Sequence, residues 1–238
     1  MKFEIQDYFF SYGKAEKAFT IRIDDFFMEK ASCVFIFGDS GSGKSTFFNL
    51  LSGIINTTLG EKVKRAFPNI EYIMHECKLL PWHTLWRNVQ IISNIRRVET
   101  DLSLLKYYCN LFNLPEEVLN LKSWQLSLGM RQRFEIALAL SNNPQLIILD
   151  EGLSGIDIKN KGIVCQALYH YVKENNIILL GTAHQVSDIL RLAERIYVIK
   201  NGTFINNYSI KMEVEKRIFL PLKELYALPD ADILLEVK

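Results

Sequence analysis

SCVFIFGDSGSGKSTFFNLLSG, Ser32 to Gly53, is the stretch that decides the fold. SCVFIF, Ser32 to Phe37, reads as a buried strand. GKSTFFNLLSG, Gly43 to Gly53, reads as a helix stopped by Gly53. Between strand and helix stand Gly38, Asp39, Ser40, Gly41, Ser42, Gly43, Lys44 and Ser45, in the spacing Gly-x-x-x-x-Gly-Lys-Ser. Glycines at those points let the backbone wrap closely and turn its N–H groups inward, and the helix that follows adds its positive end. A glycine-rich turn that ends in Lys-Ser by chance needs neither flanking element, and here both are present. The loop from Gly38 to Thr46 is therefore expected to bind the polyphosphate of ATP. Lys44 should reach the β and γ phosphates, and the Ser45 hydroxyl should hold Mg2+.

Outward from the loop, apolar strands alternate with helical patterns. QLIILD (Gln145 to Asp150) and NIILLGTA (Asn176 to Ala183) read as parallel strands, with a crossover helix from Ile158 to Glu174 between them. FEIQDYFF and AFTIRID alternate in polarity and suggest an antiparallel β layer beside the loop strand. From Trp82 to Asn143 the patterns are helical (Leu85 to Ile95, Leu102 to Phe112, Gly129 to Ser141). The expected class is α/β: a phosphate-loop NTPase core with a parallel sheet, an antiparallel β layer and an inserted helical subdomain. The expected division is residues 1–81 and 144–207 as core with β layer, 82–143 as helical subdomain, and 208–238 as a C-terminal extension of unknown role.

Bulk properties narrow the function. Of the 238 residues, 49% are hydrophobic, enough for a sizeable core, and the net charge of +1 offers no field to hold nucleic acid. No apolar run is long enough to span a bilayer, so the chain is expected to be soluble by itself. The four cysteines, Cys33, Cys77, Cys109 and Cys165, are scattered without a Cys-x-x-Cys pair, which fits buried reduced thiols and a cytoplasmic setting.

Asp150-Glu151 sits at the end of the Gln145 to Asp150 strand, at the carboxyl end of the sheet, where ligands of open α/β folds bind. Asp150 is expected to support Mg2+ and Glu151 to polarise an attacking water. The bland reading, an N-capping acid beside an exposed glutamate, is weaker after a phosphate loop. No Asn-Lys-x-Asp guanine motif is present, which disfavours a GTPase.

LSLGMRQRFEIALAL, Leu126 to Leu140, and LIILDEGLSGID, ending at Asp157, complete the pattern. Together with the phosphate loop and His184 after the Asn176 strand, the chain from about Phe3 to Phe204 resembles the ATP-binding cassette family. The resemblance implies two ATPase subunits, expected to be a homodimer, facing head to tail with ATP between them. Each chain would supply half of each site. By that resemblance Ser127 and Gly129 meet the γ-phosphate of the opposite nucleotide, Asp157 communicates across the dimer, His184 contacts the γ-phosphate, and Tyr12 stacks on adenine, with Phe9 and Phe10 as rivals for that place.

Two positions depart from the family pattern. Leu128 stands in place of the first glycine of the signature pair and Met130 in place of the usual glutamine. A branched side chain at Leu128 either restricts the opposite phosphate loop or sits in a local helix. His75 stands where the family carries a glutamine that touches Mg2+ and the attacking water, so it is assigned there as a catalytic and metal residue whose charge varies near neutral pH. The short span from Lys44 to His75 suggests a trimmed β layer. LLPWHTLWRNV, Leu79 to Val89, is similar to the corresponding stretch in ATPases of nitrate, sulfonate and taurine importers. That similarity implies an integral membrane permease that contacts this region, a solute-binding protein, and a peripheral location on the inner face of the membrane. Trp82 and Trp86 would either face the permease or pack inside the helical subdomain. A degenerate partner in a heterodimer and a soluble cassette ATPase without a transport role are the alternatives.

Overall fold

The computed structural model describes residues 2–13, 18–74, 78–183, 185–210 and 213–218. In chain order the elements are β1 (Lys2–Ser11), β2 (Thr20–Glu29), β3 (Ser32–Phe37), α1 (Lys44–Ser52), α2 (Thr58–Ala66), β4 (Ile70–Ile73), α3 (Leu85–Arg96), α4 (Leu102–Leu111), α5 (Leu128–Ser141), β5 (Leu146–Asp150), α6 (Ile158–Glu174), β6 (Ile178–Thr182), α7 (Val186–Leu192), β7 (Arg195–Lys200), β8 (Thr203–Ser209) and α8 (Val214–Arg217). Short 3-10 turns cover Glu116–Asn120 and Ser123–Gln125.

The strands form one eight-stranded sheet in the order β1-β2-β8-β7-β3-β6-β5-β4. From β7 to β4 all neighbours are parallel. The expected antiparallel pair is β1 and β2, and it joins the parallel core through β8, which meets β2 at Arg22 and Thr203. The β layer and the core are thus continuous.

Alternation along the central strands sorts their side chains into two cores. Val34 and Ile36, with Ile148 and Leu180, face α1, α2 and the β1–β2 pair, where Phe47, Phe48 and Leu51 are fully buried. Phe35, Ile147 and Leu179 face the opposite way, toward α5, α6 and α7. Burial on both faces is why these strands read as unbroken apolar runs. The carboxyl ends of β3, β5 and β6 then lie side by side in the sheet.

α3, α4 and α5 occupy the helical stretch, which carries no strand beyond an isolated bridge between Thr84 and Lys122. Buried Asn88 fixes the turn before α3: its Oδ1 accepts from Leu80 N–H at 2.7 Å and its Nδ2 donates to the Leu80 carbonyl at 3.2 Å. Trp82 and Trp86 are both exposed rather than packed inside.

The expected cut between residues 207 and 208 falls inside β8. Beyond it Val214 and Ile218 are buried, and a pair of arginines binds α8 to α7. Arg217 donates to the Leu190 and Ala193 carbonyls, while Arg191 donates to the Ile218 carbonyl. Residues up to Ile218 therefore belong to the packed body.

One buried ion pair joins α6 to the helix that follows β6: Lys161 Nζ lies 2.8 Å from Asp188 Oδ1, both side chains almost fully enclosed. Removing one partner of such a pair leaves an uncompensated charge. Lys161→Met is expected to lower stability by about 3–5 kcal/mol in urea unfolding.

Candidate functional site

The phosphate loop is shaped by backbone conformations that its glycines permit. Gly41 and Gly43 have φ of 79° and 111°, in the range that side chains disfavour. Space excludes a side chain as well: a Cβ on Gly43 would lie 2.7 Å from Ile21, and one on Gly38 would lie 2.2 Å from the Ile199 carbonyl. Asp39 and Ser40 form the exposed tip. Among the described residues the buried Ser42 hydroxyl has no hydrogen-bond partner.

Lys44, the first residue of α1, curls back so that its Nζ donates to the carbonyls of Gly38 and Asp39, each at 2.7 Å. Burial pushes its pKa down, while Glu151, Asp150 and Asp39 act the other way. A partly desolvated ammonium over a loop of inward amides suits a polyanion.

Asp150, nearly buried at the end of β5, is hydrogen-bonded to Ser45 and accepts from the Tyr72 hydroxyl at 3.2 Å. Burial raises its pKa, and the bonds from Ser45 and Tyr72 hold it down. No local motif in the sequence marks Tyr72; its place in β4, next to β5, brings it there. Ser45 and Asp150 are a hard, oxygen-only donor pair, which fits Mg2+ shared with phosphate. Among the described residues no three His, Cys, Asp or Glu side chains cluster to hold a metal alone.

Glu151 sits in the left-handed region at φ 59°, its N–H bonded to the Thr182 carbonyl at 3.1 Å. The bond from the neighbouring strand helps hold this non-glycine residue in that conformation. Its side chain lines a cavity of about 310 Å3 with Lys44, Ser45, Thr46, Tyr12 and Phe19. Tyr12 is 56% exposed at the mouth, with Phe10 edge-on at 5.0 Å. Phe9 and Phe10 do not line the cavity, whereas Phe19 does. Phe19 was missed; the only signal is its position just before β2, opposite Tyr12 in the hairpin, where Tyr12 N–H meets the Phe19 carbonyl at 3.2 Å.

Ser127, Gly129 and Asp157 do not line that cavity, and Gly129 packs against Gly155 instead. Ser127 caps α5, its hydroxyl accepting from Met130 N–H at 3.2 Å. Leu128 is the first residue of α5, so the helical alternative holds there. Asp157 caps α6 and accepts from Asn160 N–H at 3.1 Å and Nδ2 at 2.7 Å, bonds that lower its pKa. His75 and His184 lie outside the described residues.

This geometry defines a phosphate-loop nucleotide site, and comparison with known proteins gives its family. The model of the ABC transporter family matches residues 22–154. The molybdate/tungstate import ATP-binding protein of Archaeoglobus fulgidus is 30% identical over 197 residues, covering 79% of this chain and 81% of that protein. An aliphatic sulfonates import ATP-binding protein of Shouchella clausii is 30% identical over 190 residues, covering 79% and 74%. A solved dimeric ATP-binding cassette in a post-hydrolysis state with ADP and Pi shares the fold, with a TM-score of 0.75 over 90% of this chain and 100% of that one at 23% identity. The chain belongs to the ABC transporter family, and as a member of it is an ATP-binding, ATP-hydrolysing subunit.

Gly43 tests the loop directly. A side chain forced into its left-handed conformation costs about 1–3 kcal/mol. Gly43→Ala is expected to weaken ATP binding about tenfold or more in calorimetric titration while far-ultraviolet circular dichroism is retained.

Proposed function

We propose that the chain is the ATPase subunit of an importer, working as a head-to-tail homodimer on a separate membrane permease. The observation that carries this reading is the split site. Lys44, Ser45 and Glu151 line one cavity, with Asp150 hydrogen-bonded to Ser45, while Ser127, Gly129 and Asp157 lie outside it at the starts of α5 and α6. One chain then supplies half of each of two sites.

In this reading the loop amides and Lys44 hold the β and γ phosphates, and Ser127 and Gly129 of a second copy close over the γ-phosphate with a hydroxyl and an N–H at a helix start. Ser45 and Asp150 would hold Mg2+, which when bound neutralises charge on the phosphates. Glu151 accepts a proton from the attacking water. Tyr12, with Phe19 beside it, offers an apolar face to adenine. His184 and His75 keep their proposed places at the γ-phosphate and at the water.

Import is supported by the relatives, a molybdate/tungstate and an aliphatic sulfonates import ATP-binding protein. A permease contact is supported by the exposed Trp82 and Trp86 and by a groove of about 360 Å3 between the core and the helical stretch, where Ile54 and Ile95 are exposed above Glu71 and Arg96. Among the described residues no helix is long and apolar enough to cross a membrane, so the span would come from that partner. The subunit then works at the inner membrane face, with a solute-binding protein supplying cargo. A helical subdomain at 82–143, set into a core that runs on through β8 to Ile218, is proposed on the same footing.

Glu151→Gln is expected to lower phosphate release about a hundredfold or more and to trap an ATP-dependent dimer in size-exclusion chromatography. Wild-type turnover in that variant would remove Glu151 from its role. A wild-type chain that binds ATP yet never hydrolyses it, even with the permease, would point to the heterodimer instead. Tyr12→Ala is expected to weaken ATP binding by about 1–3 kcal/mol, with Tyr12→Phe close to wild type in the same titration.

A further inference from the structure

The start of α5 is fastened to the turn that leaves β5. Gly155 N–H donates to Gln132 Oε1 at 2.8 Å, and Gln132 Nε2 donates to Ser154 Oγ at 3.3 Å. Gln132 is 1% exposed, so both ends of its amide are committed to this turn. The backbones also touch: a Cβ on Gly129 would lie 2.5 Å from the Gly155 carbonyl oxygen. From the other side, a Cβ on Gly155 would lie 2.6 Å from Leu128 Cγ and 2.9 Å from Gln132 Oε1. Neither glycine has a positive φ, so close approach alone excludes a side chain at both. The turn is itself tightly wound from Glu151 onward, with Ser154 N–H on the Glu151 carbonyl at 3.1 Å and Ile156 N–H on the Leu153 carbonyl at 3.2 Å.

We propose that Gln132, with Leu128 laid over Gly155, is a positioning residue that makes the Ser127–Gly129 segment and the Glu151–Asp157 turn move as one body. Engagement of a neighbour's nucleotide by Ser127 and Gly129 then sets the Glu151 carboxylate of the same chain. The two composite sites are linked through each subunit, not only across the interface. An amide is suited to the task because it meets a donor and a hydroxyl oxygen at once from one side chain. Leu128 fills the space over Gly155 and makes the contact a packed one. The inference rests on the split-site reading.

The test uses the full chain. Gln132→Met keeps the volume and removes both bonds. Gly155→Ala drives Leu128 and Gln132 away from the turn, and Leu128→Ala in the same chain removes the nearer obstacle. ATP affinity of the monomer, set by the phosphate loop, is expected to stay within about twofold in Gln132→Met and Gly155→Ala, while kcat falls about tenfold and cooperativity in ATP is lost. In a Glu151→Gln background the same changes should weaken ATP-driven dimerisation about tenfold by analytical ultracentrifugation. The Leu128→Ala/Gly155→Ala pair should recover part of the kcat lost in Gly155→Ala. If Glu151→Gln alone dimerises with ATP but Gln132→Met matches wild type in kcat and cooperativity, the proposal fails and the split site stands. Proportionate loss of monomer binding, melting temperature and kcat would mark a merely structural contact and also overturn it. Glu151→Gln that never dimerises with ATP would sink the split-site reading, and this proposal with it.

Discussion

A polyphosphate carries more negative charge than one lysine can balance, so it has to be held mostly by main-chain N–H groups that face one point. That requirement sits at the junction of β3 and α1, and much of the structure follows from it. The loop must approach β7 so closely that Gly38 has no room for a side chain beside the Ile199 carbonyl. It must also bring its amides round through left-handed residues at Gly41 and Gly43. β3 therefore lies at the centre of the sheet, between β6 and β7, where both neighbours hold its position. Asp150 and Glu151 reach the loop because β5 lies on the far side of β6 in parallel register. Gly202 closes the arrangement from β8's end, its N–H on the Ser42 carbonyl at 2.8 Å.

Much of this was legible because the informative residues obey local rules. A parallel strand buried on both faces is a plain apolar run, so the strand at Ser32 to Phe37 could be found to the residue, and the crossover helix at Ile158–Glu174 is bounded by a capping aspartate and a polar end. Tyr12 could be placed at the cavity only through resemblance, since nothing local separates it from Phe9 and Phe10; of the three, Tyr12 lines the cavity. What stayed hidden depends on distant partners. β8 looks like a polar tail because, of its seven residues, Phe204 alone is buried, yet it bridges the β1–β2 pair to the core.

Gln132 shows the same limit within the site. In LSLGMRQRFEIALAL it stands in a polar run that resembles the solvent face of a helix, yet Gln132 and Arg133 are both buried. Arg133 donates to the Phe112 and Asn113 carbonyls, which end α4, and Gln132 grips the turn after β5. Both burials are permitted because the Gln132 amide and the Arg133 guanidinium find backbone or hydroxyl partners, most of them remote in sequence. Hydrophobic periodicity cannot see such residues, since it counts them as surface.

The same contacts bear on Leu128. Read alone, a leucine in place of glycine at a nucleotide-facing turn suggests obstruction. In the fold it is the first residue of α5, with ordinary helical needs, and it is 43% exposed with its branched end against Gly155. The freedom that a glycine would provide there is conformational, and a helix start does not use it. The steric demand has moved to the partner position: Gly155 has to stay bare because Leu128 and Gln132 already occupy its flank. A departure at one position is thus absorbed by a glycine elsewhere in the chain, and Ser127 and Gly129 keep their places at the start of α5.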